Sequence, residues 1–599
     1  MPTVAKITNQ EIAKILYEIG EYFEIKGIPF KPRAYEKAAY FVENLEEEVF
    51  EVYKRGGLKA VEDISGVGIS IAEKIEELIK TGHLKYHQML KKSLPVNISE
   101  LSRVEGVGPK AIFRLYKKLK VRNIGDLEKA AKTGKIAKIA GFGSKTEQKI
   151  LKGIEFLKKS GGRFLLGDVL PLARIIEGRL KNLKSAGHVT ITGSIRRMQE
   201  TIGDIDILVT IQGSQPAFAK ALASPKPTAK RGSAGKIMDF FVSMPEVSHV
   251  YSQGETKTLV RFKNGMDADI EVVPSKSYGA AILAFTGDKR HNIALRALAG
   301  SEGYKLNDFG LWRGKKMIAG QTEEEIYKAL KMETPPPEIR KDSGEIQVAL
   351  KNKLPKLIGY NEIKGDLQVQ TNWTDGENSI EEMAEAASDA GLEYIAITDH
   401  TKSLAMTGGS DEKKLLKQMA EIDKIQSRIG GTKIKILKGA EVNILKDGSL
   451  DIEDTVLAKL DVVGIAVHSH FNLSRAEQTK RIIKAMQNKH ADILFHPTGR
   501  LIQKREPYDV DVEEIIKVAK STGTVLEIDA DPNRLDLKDE YIRKAVEAGV
   551  KLAIDTDAHS KNSFHYLEYG IAQARRGWAK SSDIINTRPW KEMLKLLKH

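Results

Sequence analysis

Apolar positions change their spacing along the chain, and each spacing is typical of a different element. Helical spacing predicts helices over 10–25, 33–52 and 69–81, and further helices over 97–160. Between 187 and 275 the pattern predicts strands, which are HVTITG, GDIDILVTI, KTLVRF and DADIEVVP. Residues 280–330 return to helices and short strands. Beyond residue 360, strand-like segments alternate with helices, which predicts an α/β barrel or a doubly wound domain. These segments are YIAIT, KILKGAEVNI, VVGIAVH, ADILFHP, GTVLEID and KLAIDTD.

These changes of pattern predict a multidomain α+β and α/β protein. The expected divisions are helical domains at 1–90 and 91–160, a strand-rich domain at 161–278, a smaller domain at 279–333, a linker at 334–360 and a barrel at 361–599. The linker is placed at 334–337 (TPPP), because consecutive prolines favour an extended chain.

Charge separates the two halves of the chain. The net charge of +14 resides in the first 350 residues, and the remainder is close to neutral. A basic surface on folded sequence favours a polyanionic partner. The chain has no cysteine, which excludes disulfides and thiolate zinc sites. It shows no membrane-length apolar run and no signal-peptide pattern, so we expect a cytoplasmic protein without a membrane partner. A monomer is our working hypothesis, to which no residue pattern contributes.

The most specific chemical motif is Gly193-Ser194 followed by Asp204 and Asp206 on a predicted strand. Side chains two positions apart on a strand share a face, so both carboxylates point the same way. Two carboxylates about 4 Å apart repel by roughly 4 kcal/mol at an effective dielectric near 20, and a divalent cation reverses the sign. The motif therefore predicts a metal site beside a phosphate-binding turn.

Three turns share the form apolar-x-Gly-x-Gly between predicted helices. Their glycines are Gly66, Gly68, Gly106, Gly108, Gly141 and Gly143. Glycine lets backbone N–H groups approach a DNA phosphate at a helix N-terminus without reading bases. Repetition of the turn in the basic half predicts non-specific DNA binding through helix-hairpin-helix domains.

Residues 1–330 resemble the family X DNA polymerases, of which DNA polymerase beta is a member. The matching segments are 66–82, 104–111, TGSIRR (192–197), GDIDIL (203–208), DIEVVP (269–274) and LAFTGDKRHNIALR (283–296). The resemblance implies a beta-type nucleotidyltransferase palm and thumb, with gapped or primed DNA and dNTPs as partners. It implies that Asp204 and Asp206 bind two Mg²⁺ or Mn²⁺ ions and that a third aspartate helps to activate the primer 3′ hydroxyl. Asp269 matches that aspartate, and Asp267 is the alternative on the same strand face.

The same resemblance implies a set of nucleotide contacts. Gly193, Ser194, Arg197 and Gly203 would hold the triphosphate, Phe285, Gly287 and Asn292 would line the nucleotide pocket, and Arg296 would contact template. Ala284 stands where vertebrate relatives carry a tyrosine beside the sugar, so we expect weaker rejection of ribonucleotides. Lys74 matches the family's Schiff-base lysine, which removes 5′-deoxyribose phosphate, although Ser70 replaces a supporting lysine. Both a lyase and a solvated-lysine interpretation stay open.

Residues 361–599 resemble the polymerase and histidinol phosphatase (PHP) domain, a distorted α/β barrel that holds three metals with nine ligands. The positions that match are Asp375, His400, Glu441, His468, His496, Asp557 and His559. Gln368 and Gln370 occupy the remaining two, where the family has histidines, and an amide oxygen is a poor ligand for Zn²⁺ or Mn²⁺. A 3′–5′ exonuclease or phosphoesterase and a residual metal-stabilised scaffold are both open, and Arg500 is a candidate to bind a phosphate.

We therefore expect a DNA-directed DNA polymerase that fills short gaps in base-excision repair by two-metal nucleotidyl transfer. One alternative is a PHP phosphoesterase or nuclease for which the N-terminal half delivers DNA. Another is a DNA-binding scaffold in which both sites are weakened. The polymerase is favoured because the palm has all three aspartates, whereas the barrel has lost two of its ligands.

Overall fold

A computed structural model describes residues 7, 9–26, 28, 31–43, 45, 47–64, 66–101, 104, 107–159, 162–212, 232–429 and 434–598. The chain forms two compact units, Met1–Gly162 with Gln503–Arg505, and Arg163–Ile502 with Glu506–His599. Among the described residues, no helix is both long and apolar enough to cross a membrane.

The first unit is helical and packs around one apolar core. Its helices are Asn9–Ile25, Lys31–Glu43, Val49–Glu62, Ile69–Thr81, Lys85–Ser93, Ile98–Leu101, Pro109–Leu119, Ile124–Lys132 and Ser144–Lys159. The helix predicted over 33–52 is wrong as a single element. The backbone N–H of Val49 donates to Asn9 Oδ1 at 2.7 Å, which caps a new helix. Val42 and Val49, seven positions apart, are both buried, so the apolar spacing runs across the break.

The second unit begins with a five-stranded sheet, the palm. Its strands, in spatial order, are Ala186–Ile191, Asp204–Ile211, Asp267–Val273, Lys257–Phe262 and Val247–Gln253. A short pair, Phe164–Leu165 with Thr201–Ile202, lies outside this sheet. The helices Leu166–Lys181 and Ser233–Val242 pack their apolar faces into the palm core. The strands predicted between 187 and 275 are confirmed.

A thumb follows, built from the helices Tyr278–Thr286, Lys289–Ser301 and Glu323–Ala329 and from the strands Lys305–Asn307, Gly310–Arg313 and Lys316–Ala319. The segment expected to be a linker then forms a 3₁₀ turn at Pro337–Ile339 and a helix at Glu345–Leu350. It carries buried polar side chains, including Arg340 and Glu345. This segment is therefore packed against its neighbours along much of its length.

The barrel has seven parallel strands in chain order, which are Gly365–Val369, Tyr394–Ile397, Lys435–Asn443, Val462–Ala466, Ile493–Leu494, Val525–Asp529 and Leu552–Asp555. A parallel bridge between Val369 and Ala558 nearly closes the sheet. Around it lie the helices Ile380–Asp389, Glu412–Ile429, Asp454–Leu457, Arg475–Met486, Val512–Thr522, Asp539–Ala548, Leu567–Arg576 and Trp590–Leu594.

The barrel expectation and the six predicted strands are confirmed, and sequence analysis missed the first strand. Gly365–Val369 is buried throughout, yet Asp366 and Gln368 interrupt its apolar residues. Apolar patterning cannot detect a short strand whose apolar residues are interrupted by buried polar ones.

Candidate active sites

The palm brings four aspartates onto two adjacent parallel strands. Asp206 lies directly opposite Asp269 in the register, and Asp204 lies opposite Asp267. Residues opposite each other in a parallel pair point to the same face, so all four carboxylates share one side of the sheet. The strand that carries Asp204 and Asp206 is therefore paired with the later strand that carries the predicted third aspartate.

Asp267 and Asp269 have different partners. Arg261 holds Asp267 with two hydrogen bonds, Nε to Oδ1 at 2.8 Å and Nη2 to Oδ2 at 2.9 Å. Asp269 instead faces Lys257, whose Nζ lies 3.7 Å from Asp269 Oδ2 and 3.3 Å from Glu271 Oε2. The geometry favours Asp269 over Asp267 as the third carboxylate of the site.

Attraction by Lys257 and Arg197 does not offset burial and the repulsion among these carboxylates. Burial raises the pKa of Asp206 to about 7, and repulsion from Asp204 and Asp269 adds to the shift. Burial also raises the pKa of Asp269, although Lys257 opposes it. A divalent cation would relieve this repulsion, so the donor set fits the Mg²⁺ or Mn²⁺ that the fold family implies.

Gly193 makes the approach between the phosphate-binding turn and the carboxylates possible. Its φ is +62°, and a Cβ there would overlap the Asp206 carboxylate. The helix Gly193–Arg196 starts at this glycine and has no side-chain cap at its N-terminus. The first N–H groups of the helix thus remain available to an anion beside the metal-binding carboxylates.

A cavity of about 510 Å³ joins these groups to the thumb. Its lining includes most predicted nucleotide contacts, namely Gly193, Ser194, Arg197, Phe285, Gly287, Asn292 and Arg296, together with Asp204, Asp206 and Ala284. Sequence reasoning missed Arg163, Lys289 and Ile293, which also line it. Lys289 lies inside the FTGDKRHN motif that carried the resemblance, whereas nothing near Arg163 marks it in sequence.

Several cavity residues are held by their neighbours. Asn292 Nδ2 donates to the Ala284 carbonyl at 2.8 Å, and Arg197 donates to the Thr286 carbonyl. Burial lowers the pKa of Arg197, against attraction by Asp288 and Asp206. Arg296 pairs with Asp308 at 2.9 Å, so template contact would require this exposed pair to open. Gly203 lies outside the cavity lining, with Arg163 Nη1 3.2 Å from where its Cβ would be.

In the first unit, each of the three predicted turns is closed by the same kind of short-range backbone hydrogen bond. The hydrogen bonds that close them are Val67 N to Ile64 O at 3.0 Å, Val107 N to Val104 O at 3.0 Å and Phe142 N to Ile139 O at 2.9 Å. Gly68 and Gly108 each precede a helix that no side chain caps. Gly106 lies outside the described residues, and Gly141 and Gly143 precede Ser144–Lys159. A cavity beside the third turn is lined by Arg114, Lys118, Lys135 and Lys138.

Lys74 lies on the helix that follows the first turn. Its Nζ donates to the Ser70 carbonyl at 2.8 Å and lies 5.4 Å from the centroid of the Tyr86 ring. Burial lowers the pKa of Lys74, with a further contribution from Lys31 against the nearby glutamates. Ser70, where the family has a lysine, therefore contacts Lys74 as an acceptor.

The barrel gathers two groups of metal-ligating side chains at the ends of its strands. The first consists of Asp375, His400 and His559, and the second of His400, Glu441 and His468. Within each group, one ligand atom per residue lies within 4.8 Å of the others. His496 Nε2 also contacts Glu441 Oε1, at 2.8 Å. Burial alone would raise the pKa of Glu441, but His400 and His468 hold it well below its ordinary value.

The third group expected in this barrel family does not fit a metal. Gln370 Nε2 donates to Glu441 Oε2 at 2.8 Å. Gln368 is fully buried, and neither polar atom of its side chain has a hydrogen-bond partner. The guanidinium group of Arg534 already supplies a positive charge to the carboxylates of this group. Its Nε lies 3.5 Å from Asp557 Oδ2 and 3.3 Å from Asp529 Oδ2. The residues here therefore support two metal positions rather than three.

Backbone strain marks two of the barrel positions that the family resemblance predicts as ligands. His496 has φ +29° and Asp557 has φ +51°, a region that costs a non-glycine residue about 1–3 kcal/mol. Such strain concentrates at functional sites. By contrast, Arg500 forms a structural ion pair. Its Nη2 donates to Glu200 Oε2 at 2.8 Å, and the residue is only 8% exposed. It is not placed as a free phosphate ligand.

Fold and sites together define a nucleotidyltransferase preceded by helix-hairpin-helix turns and followed by a metal-ligating α/β barrel. Residues 7–84 match the family described as helix-hairpin-helix domain, 98–155 the SAM-like helix-hairpin-helix tandem, 281–341 the DNA polymerase beta thumb and 366–531 the PHP domain. The chain is 34% identical to the DNA polymerase/3′-5′ exonuclease PolX of Bacillus subtilis (strain 168) over 98% of this chain and 99% of that protein. It therefore belongs to the family X DNA polymerases that carry a PHP domain.

Two further relatives each match part of the chain. DNA polymerase lambda of Rattus norvegicus is 25% identical over 55% of this chain and 56% of its own length. A probable phosphatase of Thermoanaerobacter sp. (strain X514) is 30% identical over 35% of this chain and 84% of its own length.

Proposed function

We propose that this chain is a DNA-directed DNA polymerase that fills short gaps during base-excision repair, acting as a monomer on gapped or primed DNA with dNTPs. The observation that carries the proposal is the register of Asp206 against Asp269 beside the Gly193 turn and its cavity. Electrostatic repulsion among carboxylates this close disfavours any role that leaves them without a cation.

Different residues bind the metals, orient the primer and bind the nucleotide during nucleotidyl transfer. Asp204 and Asp206 would hold two Mg²⁺ or Mn²⁺ ions, which when bound lower the pKa of the primer hydroxyl and stabilise charge on the triphosphate. Asp269 accepts a hydrogen bond from that hydroxyl and orients it. Ser194, Arg197 and the N–H groups after Gly193 bind phosphate oxygens, while Phe285 and Asn292 shape the nucleotide pocket.

Primer extension on DNA with a one-nucleotide gap tests this proposal. Wild type should extend the primer in Mg²⁺ or Mn²⁺, and Asp206→Asn and Asp269→Asn should abolish extension. Asp267→Asn is the matched control on the same strand face, and it should retain most of the activity. Failure of the wild type to extend would overturn the proposal, and loss in Asp267→Asn alone would assign the third carboxylate differently.

The barrel supports a second candidate activity, a Mn²⁺- or Zn²⁺-dependent 3′–5′ exonuclease or phosphoesterase. Its basis is the pair of ligand groups that share His400. Digestion of 3′-labelled DNA should disappear in His400→Ala and persist in His565→Ala, an exposed histidine outside both groups. Absence of digestion by the wild type would leave the barrel as a scaffold.

Lys74 supports a third activity, removal of 5′-deoxyribose phosphate through a Schiff base. A lysine with a lowered pKa is a better nucleophile near neutral pH. Borohydride should trap the wild type on an incised abasic site, but not Lys74→Ala. Lys80→Ala, on the same helix and paired with Glu76 at 2.9 Å, should still be trapped. Equal trapping of both variants would contradict a role for Lys74.

A further inference from the structure

The segment that carries the predicted triphosphate contacts is anchored outside the palm. We call residues 193–203 the nucleotide loop. It runs from the helix Gly193–Arg196 through a turn to the strand Thr201–Ile202. Within it, Gln199 N donates to the Ser194 carbonyl at 3.0 Å and Met198 N donates to the Ile195 carbonyl at 2.8 Å. The far end of the loop is thus hydrogen-bonded directly to Ser194, which lines the cavity, and to its buried neighbour Ile195.

Two barrel arginines bind this far end. Arg500 donates two hydrogen bonds to Glu200, from Nη2 to Oε2 at 2.8 Å and from Nη1 to Oε1 at 3.4 Å. Arg576 donates to the Met198 carbonyl, and its Nη2 lies 3.9 Å from Glu200 Oε2. Arg500 is 8% exposed and Arg576 is 4% exposed, so water screens these contacts little. Paired, charge-assisted hydrogen bonds of this kind fix geometry as well as contributing free energy.

Apolar packing joins the same two parts. Ile195, Met198 and Ile202 belong to the palm core, and that core also contains the barrel side chains Leu535, Tyr569 and Ala572. Met198 has φ +49°, a left-handed conformation that costs an L-residue roughly 1–2 kcal/mol. The hydrogen bond from Arg576 to its carbonyl helps to hold this conformation. Without that bond, we expect Met198 to leave the left-handed conformation and the nucleotide loop to shift.

A separate network holds the other side of the loop through the thumb. Arg196 Nη2 lies 2.6 Å from Glu323 Oε2, and Arg340 also pairs with Glu323. The next residue, Lys341, pairs with Asp539 of the barrel, and Arg576 Nε lies 3.4 Å from the same carboxylate. The nucleotide loop is therefore held between thumb and barrel by buried and half-buried ion pairs.

We propose that the barrel is a positioning element for the polymerase site, with Arg576 and Arg500 as positioning residues for nucleotide binding. Neither arginine lines the nucleotide cavity, and both act through the nucleotide loop. This role is independent of any hydrolysis in the barrel, because it uses none of the predicted metal ligands. It rests on the proposed polymerase activity of the palm.

Steady-state gap filling at varied dNTP concentration tests the proposal in the full chain. Arg576→Met and Arg500→Met should each raise the KM for dNTP about tenfold, equivalent to about 1.4 kcal/mol, with kcat within about threefold of wild type. Arg576→Lys should recover part of the loss, because an ammonium group can still donate to the Met198 carbonyl. Backbone hydrogen exchange in 193–203 should quicken in Arg576→Met.

Arg174→Met is the matched control. Arg174 Nη1 donates to Glu568 Oε2 at 2.9 Å, a palm–barrel ion pair that is exposed and does not touch the nucleotide loop. This variant should keep the wild-type KM and exchange pattern. Unchanged KM and exchange in folded Arg576→Met and Arg500→Met, or an equal rise in Arg174→Met, would overturn the proposal. If Arg576→Met does not fold, Arg500→Met and Glu200→Gln decide by the same two measurements. Absence of extension by the wild type would instead overturn the polymerase function.

Discussion

Replacing Asp206 by asparagine should stabilise the metal-free protein while it abolishes polymerase activity. In the folded chain, burial and two neighbouring carboxylates raise the pKa of Asp206 from 3.8 to about 7. Between these two pH values the folded chain binds a proton that the unfolded chain has released. Stability therefore falls as pH rises through this window, and above pH 7 the full penalty applies.

The size of the effect follows from the difference of about three pH units. At 1.36 kcal/mol for each unit, the ionised Asp206 carboxylate lowers the free energy of unfolding by up to about 4 kcal/mol above pH 7. Movement of Lys257 or Arg197 towards Asp206 would reduce this value, because both already attract it. Asparagine keeps the shape without the charge, so a gain of about 2–4 kcal/mol is expected at pH 8 and close to none at pH 4.

Thermal melting in EDTA at pH 4, 6 and 8 measures this difference. Asp206→Asn should melt with the wild type at pH 4 and above it at pH 8, and excess Mg²⁺ should remove the advantage by stabilising only the wild type. Asp267→Asn should behave oppositely, because Arg261 lowers the pKa of Asp267 through hydrogen bonds and its removal costs stability at pH 8. A melting difference that is the same at every pH would refute the reasoning.

Three further outcomes are expected. Gly193→Ala should reduce kcat by at least about a hundredfold, because its Cβ would displace the Asp206 carboxylate; an unchanged gap-filling rate would contradict the close approach. Isothermal titration of Mn²⁺ into Asp206→Asn, whose palm site is impaired, should detect two barrel ions, and a third ion would show that Gln370 and its neighbours do bind metal. Ala284→Tyr should raise discrimination against ribonucleotides about tenfold in a competition assay, and no change would show that residue 284 lies away from the sugar.

Sequence analysis succeeded where chemistry is local. Asp204 and Asp206 are two positions apart on one strand, so alternation alone places them on one face. Asp269 came from resemblance, and only tertiary contacts separate it from Asp267, because Arg261 binds Asp267 whereas Lys257 faces Asp269. The three glycine turns were likewise recognisable, because each is closed by one short-range hydrogen bond.

The remaining features depend on tertiary contacts that no local pattern encodes. Arg500 and Glu200 are 300 positions apart, and nothing in either segment predicts that they meet. Arg163, just before the strand Phe164–Leu165, and Lys257, at the start of the strand Lys257–Phe262, reach the palm site from segments without a motif. The strand Gly365–Val369 escaped detection because buried polar side chains break its apolar run. In each case the missing information is which distant side chain satisfies a buried polar group.

The palm core has a consequence for how this protein can be divided. Leu535, Tyr569 and Ala572 complete an apolar core whose other members lie before residue 275. A fragment that ended before the barrel would leave that face open to water and to other chains, which favours aggregation. Separate expression of the polymerase half should therefore fail for reasons unrelated to its chemistry. In the same way, a lineage could lose hydrolysis in the barrel one ligand at a time, yet could not discard the barrel without rebuilding the palm.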